Sequence, residues 1–390
     1  MEINKTLGSD NFPSTIDKLN FVDHISKFLG LAVSQLYLLC ALITCYEVIS
    51  RYVFDAPTQW AFETVMVLCA SAWMLSAGYI TLHKRHIGIT VIYIMVDKAK
   101  QWYLDLFAYV IGVIALWMFV DDTLVRAIES VMMVERAGSA WNSPQPLILK
   151  TMLVTGATVY LTQLLVNLYR HFDSKIAKNI ISGIAAFIIF RLILVFFEHA
   201  FELRGVIAIN EHLSSIAAYI EPTKYIDIRD IGIKWASILI VGLMILLMTT
   251  GMPLGVVTLF VSILSALFYF GFNGLYLVST NAFGLLEAYP LIAVPLFVLM
   301  ASILEKAGVA EDLFDAMQIF AGKLRGGVAI QTIVVAVILA AMSGVMGGEI
   351  VMLGLVALPQ MMRLGYNRKL AIGVVCASGA LATLIPPSII

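Results

Sequence analysis

Small, hydroxyl-bearing and acidic residues interrupt two apolar segments near the end of the sequence. The first interruption contains Ser343, Gly344, Gly347, Gly348 and Glu349, and the second contains Thr383, Pro386, Pro387 and Ser388. Glycine lets a backbone approach an ion closely, and proline frees a carbonyl one turn earlier in a helix. Interrupted membrane helices offer such carbonyl and hydroxyl oxygens to Na⁺, and their N-terminal ends bind anions. The two interruptions therefore predict an ion and substrate site inside a membrane transporter.

The composition of the chain is that of a membrane protein. Of its 390 residues, 61% are hydrophobic and 13% are charged, whereas a soluble domain carries about 25% charged residues. The sequence contains no basic patch for nucleic acid and none of the GxSxG, HExxH or Walker motifs of common enzymes. We therefore expect a protein of the lipid bilayer that is not an enzyme, binds no nucleic acid and needs no cofactor besides a coupling ion.

Hydropathy predicts an all-α polytopic fold, since a helix needs about 20 apolar residues to cross a bilayer. The predicted spans are residues 28–50, 61–82, 102–120, 147–169, 180–197, 235–250, 254–271 and 288–304, with shorter apolar pieces at 327–342, 350–362 and 370–385. Residues 309–322 alternate apolar and acidic positions at helical spacing. This pattern predicts an amphipathic helix on the membrane surface or between two spans.

The distribution of lysine and arginine predicts a cytoplasmic N-terminus, because cytoplasmic loops are enriched in these residues. They concentrate in the N-terminal tail, in the second loop and after the fourth span, as Lys5, Lys18, Lys27, Lys84, Arg85, Lys98, Lys100, Arg170, Lys175 and Lys178. The span at 180–197 then leaves residues 198–234 outside. Arg191 lies inside this span. The sequence leaves open whether Arg191 faces neighbouring helices or whether the segment lies partly in the membrane interface.

The apolar segments on either side of Ser343–Glu349 are too short to cross a bilayer comfortably. Residues 327–342 number 16, which corresponds to about 24 Å of helix against a hydrocarbon core of about 30 Å. Basic residues lie beyond both outer ends, so we expect the chain to enter, turn at Ser343–Glu349 and leave by the same face. This is a re-entrant hairpin. The segment at 370–385 begins on the same side and is expected to break at Pro386 and Pro387, at a similar depth.

Simpler structural roles stay open for some of these residues. Glycines in membrane helices often serve close packing between helices rather than ligand binding. An acid inside the membrane indicates a functional site. Glu349 could equally cap a helix that begins at Ile350, since an acid suits the positive end of a helix. The two roles of Glu349 do not exclude each other.

Two parts of the sequence resemble the membrane subunits of tripartite ATP-independent periplasmic (TRAP) transporters. The segment RYVFDAPTQWAFE, with four spans around it, resembles the small Q subunit. The segments PLIAVPLFVLMASILEKAGVAEDLFDAM, GKLRGG, LPQMMRLGYNRKLAIG and LIPPS, together with the Ser343-Gly344 turn, resemble the large M subunit. The resemblance covers roughly residues 25–172 and 233–390. The run at 180–197 resembles the extra helix that joins the two subunits in fused members.

The resemblance implies a domain organisation. Residues 1–27 form a cytoplasmic tail, residues 28–172 a Q-like four-helix scaffold, residues 173–234 a linker helix with a connector, and residues 235–390 the first part of an elevator-type M-like transport subunit. The same resemblance implies that the chain ends within the first broken helix of the M part, before a second hairpin and a second broken helix.

The family implies Na⁺-coupled uptake of a small organic acid across the bacterial inner membrane, with a periplasmic substrate-binding protein that delivers the substrate. Na⁺ is implied near Ser343 and Gly344, beside the LIPPS break. Many family members continue Ser-Gly with small hydroxyl residues, whereas VMGGE follows here, which favours backbone carbonyls as ligands. Two other functions stay open: an elevator-type anion symporter that needs no binding protein, and a membrane scaffold subunit that transports nothing.

Overall fold

The structure is a computed structural model that describes residues 20–201, 231–321, 326–343, 346–381 and 384–385. Helices and short connections make up this part of the chain, and it contains no strand. The helices are α1 (Phe21–Val53), α2 (Ala61–Leu82), α3 (Val91–Met95), α4 (Lys98–Met132), α5 (Gln145–His171), α6 (Lys175–Phe201), α7 (Ile233–Thr249), α8 (Leu254–Phe270), α9 (Leu275–Leu286), α10 (Val294–Lys306), α11 (Val309–Ala321), α12 (Gly327–Ser343), α13 (Met346–Arg363) and α14 (Arg368–Ala380).

The long helices have the dimensions and surfaces of membrane spans. Six helical segments of the described residues are long and apolar enough to cross a bilayer, namely Phe21–Val53, Ala61–Leu82, Lys98–Met132, Gln145–His171, Lys175–Phe201 and Leu254–Leu286. Large apolar side chains lie exposed on their outer surfaces, as Phe187 and Phe190 do on α6. Exposed apolar faces on helices of this length are typical of membrane spans. The expectation of an all-α polytopic membrane protein is confirmed.

The predicted spans differ from the helices in two places. The predicted span at 288–304 is wrong as a continuous helix, because a 3₁₀ turn (Tyr289–Ala293) precedes α10. Pro290 and Pro295 explain the difference, since proline lacks the N–H of an α-helical hydrogen bond and is best accommodated in a first turn. The sequence also did not predict α9, which follows α8 after a one-turn 3₁₀ helix at Gly271–Gly274.

The chain divides into two compact units, and α1 and α2 contribute residues to both. Unit 1 contains residues 1–35, 71–138 and 142–283, and unit 2 contains residues 36–70, 139–141 and 284–390. In unit 1, α4 packs along α5, α6 and α8. The apolar core of this unit contains Ile111, Leu247, Met252, Val256, Val257 and Val261.

Glycine permits close packing between α2 and α5 in unit 1. A Cβ atom placed on Gly156 of α5 would lie 2.5 Å from the carbonyl oxygen of Met74 on α2. The neighbouring atom belongs to a backbone, so it cannot rotate away. Small residues at such crossings let membrane helices pack by van der Waals contact. The packing role of glycine considered from the sequence therefore applies in unit 1.

A buried carboxylate joins α1 to α5 in unit 1. Asp23 is 0% exposed. It accepts hydrogen bonds from the Asn20 amide (2.8 Å), from Gln163 Nε2 (2.9 Å) and from both terminal nitrogens of Arg170. Ser26 on α1 donates to Gln163 Oε1 at 2.8 Å. Because a buried charge is tolerated only when it is paired and hydrogen-bonded, this cluster fixes the pairing of the two helices.

The same polar cluster continues to the connection after α2. Asn167 Nδ2 donates to the Thr81 carbonyl at 3.2 Å, and the Thr81 hydroxyl lies 2.8 Å from His86 Nε2. The His86 ring stacks on Tyr160 of α5, with ring centroids 4.9 Å apart. Burial lowers the pKa of His86 below the usual value for histidine. The connection after α2 is therefore held against α5 by a neutral imidazole.

Acidification is expected to destabilise unit 1 through His86. Its pKa is lowered in the folded state, so below the usual histidine pKa of about 6.5 the unfolded chain binds a proton that the folded chain does not. Stability is therefore complete above that pH and falls as the pH decreases through it. We expect the thermal unfolding temperature of the purified protein to fall between pH 7.5 and 5.5.

The variant His86→Gln should show a shallower decrease, because glutamine does not titrate and can still bond Thr81. His24→Gln is the matched control at an exposed histidine, and it should keep the wild-type dependence. His83, whose pKa is lowered by burial and by the charges of Arg85 and Lys27, accounts for part of the remaining slope. If the unfolding temperature of His86→Gln depends on pH as in the wild type, protonation of His86 does not contribute to the loss of stability.

Arg191 of α6 faces a neighbouring helix. Its Nη2 atom lies 3.5 Å from Asp121 Oδ2 on α4. Next to this pair, the rings of Trp117 and Phe187 meet edge to face with centroids 6.1 Å apart. The question that the sequence left open is thus answered within unit 1. An ion pair in an apolar region is expected to fix α6 against α4, since neither charge is tolerated alone there.

The α1–α2 connection in unit 2 is closed by polar contacts around Glu47. Arg51 Nη2 lies 2.6 Å from Glu47 Oε1, and the Thr58 amide donates to Glu47 Oε2 at 3.1 Å. The rings of Tyr46 and Trp60 stack with centroids 6.1 Å apart. The carboxylate of Glu63, which is 5% exposed, accepts from the Ser139 hydroxyl. These contacts support a structural role for the RYVFDAPTQWAFE segment.

Candidate ion and substrate site

Helices α12 and α13 pack against each other with only residues 344–345 between them. Buried residues from the middle of both helices share one core, so the second helix turns back along the first. The buried core of unit 2 takes residues from both helices and from their neighbours, as Phe314 (α11), Val335, Ala336 and Leu339 (α12), Leu353 and Ala357 (α13) and Val375 (α14). The predicted helical hairpin is present in the described residues.

The hairpin turn is shorter than the sequence suggested. The turn was placed at Ser343–Glu349, but Ser343 is the last residue of α12 and α13 begins at Met346. Gly347, Gly348 and Glu349 therefore lie in the first turn of α13, and Glu349 does not cap a helix that begins at Ile350. Gly347 and Gly348 were placed in the turn, but they are helical despite the low helix propensity of glycine. Gly344 lies outside the described residues.

Helix α14 ends before the residues of the predicted second break. Helix α14 ends at Ala380, and the Leu381 amide donates to the carbonyls of Ser378 and Gly379. A helix that continued would bring the Pro386 ring against the carbonyl of residue 382, so it has to end before the prolines. Thr383, Pro386, Pro387 and Ser388 lie outside the described residues.

The end of α14 lies against the beginning of α13. A Cβ atom placed on Gly379 would be 2.1 Å from Ile350 Cγ1 and 3.2 Å from Ile350 Cα. Gly379 is one residue from the end of α14, and Ile350 is in the second turn of α13. The N-terminal end of one helix and the C-terminal end of another are thus neighbours. The first offers N–H groups that suit an anion, and the second offers carbonyls that suit a cation.

Ser378 is a residue of this region that the sequence analysis missed. Its side chain is 2% exposed. Its Oγ atom has no hydrogen-bond partner among the described residues. Ser378 follows Ala371 and Val375 at positions i+7 and i+3, and all three are buried on one face of α14. A hydroxyl within an otherwise apolar stripe was the sequence signal that could have identified it.

Two family models match the sequence of this chain. Residues 40–174 match the family model for tripartite ATP-independent periplasmic transporters, DctQ component, and residues 241–390 match that for the DctM component. The chain belongs to the TRAP transporter permeases. It joins DctQ-type and DctM-type sequence in one polypeptide, which confirms the resemblance to fused Q and M subunits. The two matched models describe components of a transporter family and not of an enzyme family.

Individual relatives are TRAP transporter permease proteins. The chain is 33% identical over 155 residues to the C4-dicarboxylate TRAP transporter large permease protein DctM of Rhodobacter capsulatus, covering 40% of this chain and 35% of that protein. It is 31% identical to the ectoine TRAP transporter large permease protein TeaC of Halomonas elongata, covering 39% and 36% of the two chains. It is 30% identical to the isethionate TRAP transporter permease protein DctMQ of Oleidesulfovibrio alaskensis, covering 28% and 18%. The matched stretches thus span about a third or less of these relatives.

Charged residues in unit 1 connect the DctQ-type and DctM-type parts of the permease. Arg126 of α4 donates to Asp122 Oδ2 at 3.1 Å and to Ser279 Oγ of α9 at 2.8 Å. Its guanidinium carbon lies 3.9 Å from the centroid of the Tyr276 ring. Arg126, Tyr276 and Ser279 line a cavity of about 390 Å³. Because Arg126 is already paired with Asp122 and Ser279, these contacts indicate a structural connection between α4 and α9.

A second ion pair lines the same cavity. Lys150 Nζ lies 2.5 Å from Glu135 Oε2 and 5.0 Å from the centroid of the Phe283 ring. Burial alone would raise the pKa of Glu135, but the hydrogen bonds from Lys150 and Ser130 outweigh it and hold that pKa below its usual value. The carboxylate therefore stays charged at neutral pH. Arg126 and Lys150, the two basic residues that line the cavity, both pair with acidic residues of the same unit. These contacts therefore indicate a structural role in holding the helices together.

Proposed function

We propose that the chain is the membrane permease part of a TRAP transporter that couples Na⁺ entry to the uptake of a small organic acid. The observation that supports the proposal most strongly is the contact between the end of α14 and the beginning of α13, through Gly379 and Ile350. These opposite helix ends belong to the stretch that matches the DctM component. Together they supply acceptors for a cation and donors for a carboxylate.

The proposed ion and substrate site consists of the residues at these two helix ends. Ser343, Gly344, Gly347, Gly348 and Glu349 would contribute from the hairpin, and Thr383, Pro386, Pro387 and Ser388 from the break after α14. Na⁺ would bind near Ser343 and Gly344, chiefly through backbone carbonyls. The argument is chemical, since interrupted membrane helices place hard oxygen atoms at such positions.

The proposed setting is the bacterial inner membrane, with the N-terminus in the cytoplasm and a periplasmic substrate-binding protein as partner. The basic residues of the first loops support this orientation. The Q-like part (28–172) and the linker helix with its connector (173–234) would form the scaffold, and the M-like part from residue 235 would carry the hairpin of an elevator-type transport domain. C4-dicarboxylates are the candidate substrates, because several matched relatives carry that substrate in their names.

Uptake into proteoliposomes tests this function. The full-length gene product would be reconstituted, and a radiolabelled C4-dicarboxylate would be supplied with its binding protein under an inward gradient of Na⁺ or of K⁺. We expect accumulation only with Na⁺ and only with the binding protein. Uptake that needs Na⁺ but no binding protein would favour a simpler elevator-type symporter. Absence of uptake with each small organic acid tested would favour the scaffold function.

Substitutions at the hairpin separate a transport role from a scaffold role. Ser343→Ala and Gly348→Ala are expected to abolish the Na⁺ dependence of uptake, whereas a scaffold would tolerate both. Glu349→Gln tests whether this acid takes part in ion coupling or only stabilises the first turn of α13. If uptake and its pH profile stay unchanged in Glu349→Gln, the acid has only the structural role.

A further inference from the structure

The Ser378 hydroxyl group is buried without a hydrogen-bond partner. The side chain is 2% exposed, and its Oγ atom has no partner among the described residues. Another buried hydroxyl in the same unit behaves differently, since Thr332 is 0% exposed and donates to the Val328 carbonyl at 2.7 Å. A buried hydroxyl group without a hydrogen-bond partner destabilises the folded state, because its lost hydration is not replaced. Because few such groups persist in folded proteins, an unpartnered one calls for an explanation such as a bound ion or water.

The position of Ser378 places this oxygen near the two neighbouring helix ends. It shares a face of α14 with Ala371 and Val375, and Val375 belongs to the core formed with α12 and α13. The next residue, Gly379, contacts Ile350 near the beginning of α13. The hydroxyl is therefore buried in the last turn of α14, on the side of that helix that packs against the hairpin.

The electrostatics of the α14 end favour a cation over an anion. The last carbonyls of a helix lack the N–H partners of the interior, and together they form the negative end of the helix dipole. In α14 the Leu381 amide donates to two of these carbonyls, those of Ser378 and Gly379. A substrate carboxylate at this point would meet carbonyl oxygens, which repel it. A small cation would be attracted by the same carbonyls and by the hydroxyl oxygen.

We propose that the Ser378 hydroxyl oxygen is a direct ligand of the coupling cation, Na⁺, at the C-terminal end of α14. This inference rests on the proposed function. It adds a side-chain ligand to a site whose other expected ligands are mainly backbone carbonyls. The hydroxyl group suits the role because it can direct an oxygen lone pair at the ion while adding no charge to the apolar interior. Ion binding satisfies the oxygen that lacks a partner in the described residues.

The test is Na⁺-dependent thermal stabilisation of the purified full-length protein, titrated with NaCl at constant ionic strength with KCl as the balance. We expect Ser378→Ala to raise the Na⁺ concentration for half-maximal stabilisation at least about tenfold, as for loss of one hydrogen-bonding group to an ion. In KCl alone, Ser378→Ala should unfold at a higher temperature than wild type, because it lacks the unpartnered hydroxyl. Thr332→Val is the control, and it should keep the wild-type Na⁺ response.

The possible outcomes are distinct. If the wild type shows no stabilisation by Na⁺ over K⁺, the proposed Na⁺ coupling fails and this inference fails with it. If the wild type responds and Ser378→Ala responds at the same Na⁺ concentration, only the role of Ser378 is overturned, and a buried water is its partner. Should Ser378→Ala not fold, Ser378→Cys replaces the hard oxygen by a soft sulfur of similar size. The proposal then requires the same loss of Na⁺ affinity in Ser378→Cys.

Discussion

Replacing Gly379 with alanine is expected to push α14 away from α13 and to destabilise unit 2. The added Cβ would lie 2.1 Å from Ile350 Cγ1, and the Ile350 Cα atom at 3.2 Å limits how far that side chain can retreat. Inserting one methyl group into a packed core costs about 1–3 kcal/mol. The two helix ends would also separate, so we expect Na⁺-dependent stabilisation and Na⁺-driven uptake to be lost together. Thermal unfolding in NaCl and in KCl measures both effects.

Gly373→Ala is the matched control on the same helix. A Cβ atom at Gly373 meets no heavy atom within 4 Å. Alanine is the better helix former by about 0.5–1 kcal/mol, so this variant should be as stable as wild type or slightly more stable. Equal behaviour of the two alanine variants would contradict the close approach of α14 and α13.

The second large effect is expected at Asp23 in unit 1. Asp23→Ala removes the acceptor for Arg170, Gln163 and the Asn20 amide. Removing one partner of a buried ion pair costs roughly 3–5 kcal/mol. We expect the lower end of that range, because the Arg170 side chain is 32% exposed and can recover some hydration. Tryptophan fluorescence during thermal unfolding in detergent reports the loss of stability.

An exposed acid at the end of α5 provides the comparison for Asp23. Asp173 is exposed and lies two residues after that helix, so Asp173→Ala should unfold within about 0.5 kcal/mol of wild type. Asp23→Asn combined with Arg170→Gln should be more stable than Asp23→Ala, since no uncompensated charge remains. If Asp23→Ala unfolds like wild type, the buried pair does not hold α1 against α5.

Much of this architecture could be predicted from the sequence, because a bilayer demands long apolar helices. The spans at 61–82 and 147–169 lie within α2 and α5, and the amphipathic pattern at 309–322 became α11. Breaks were predicted less well. Gly347 and Gly348 suggested a turn, but both lie in the first turn of α13. The prolines of the second predicted break lie outside the described residues, and α14 ends several residues before them.

The partners of buried polar groups could not be predicted from the sequence. Arg191 had no neighbour in sequence to explain it, and its carboxylate partner lies 70 residues away on α4. In the sequence Ser378 is a hydroxyl within an apolar stripe, and only the structure shows that it is buried without a partner among the described residues. Such pairings depend on which faces of distant helices meet, and periodicity within one helix cannot specify that.

The most direct test of Na⁺ coupling is simultaneous measurement of ²²Na⁺ entry and substrate entry in proteoliposomes that contain the full-length permease. We predict that adding substrate-loaded binding protein accelerates ²²Na⁺ entry in step with substrate entry, and that omitting either substrate or binding protein abolishes this acceleration. Substrate accumulation without any matching ²²Na⁺ entry would contradict the account.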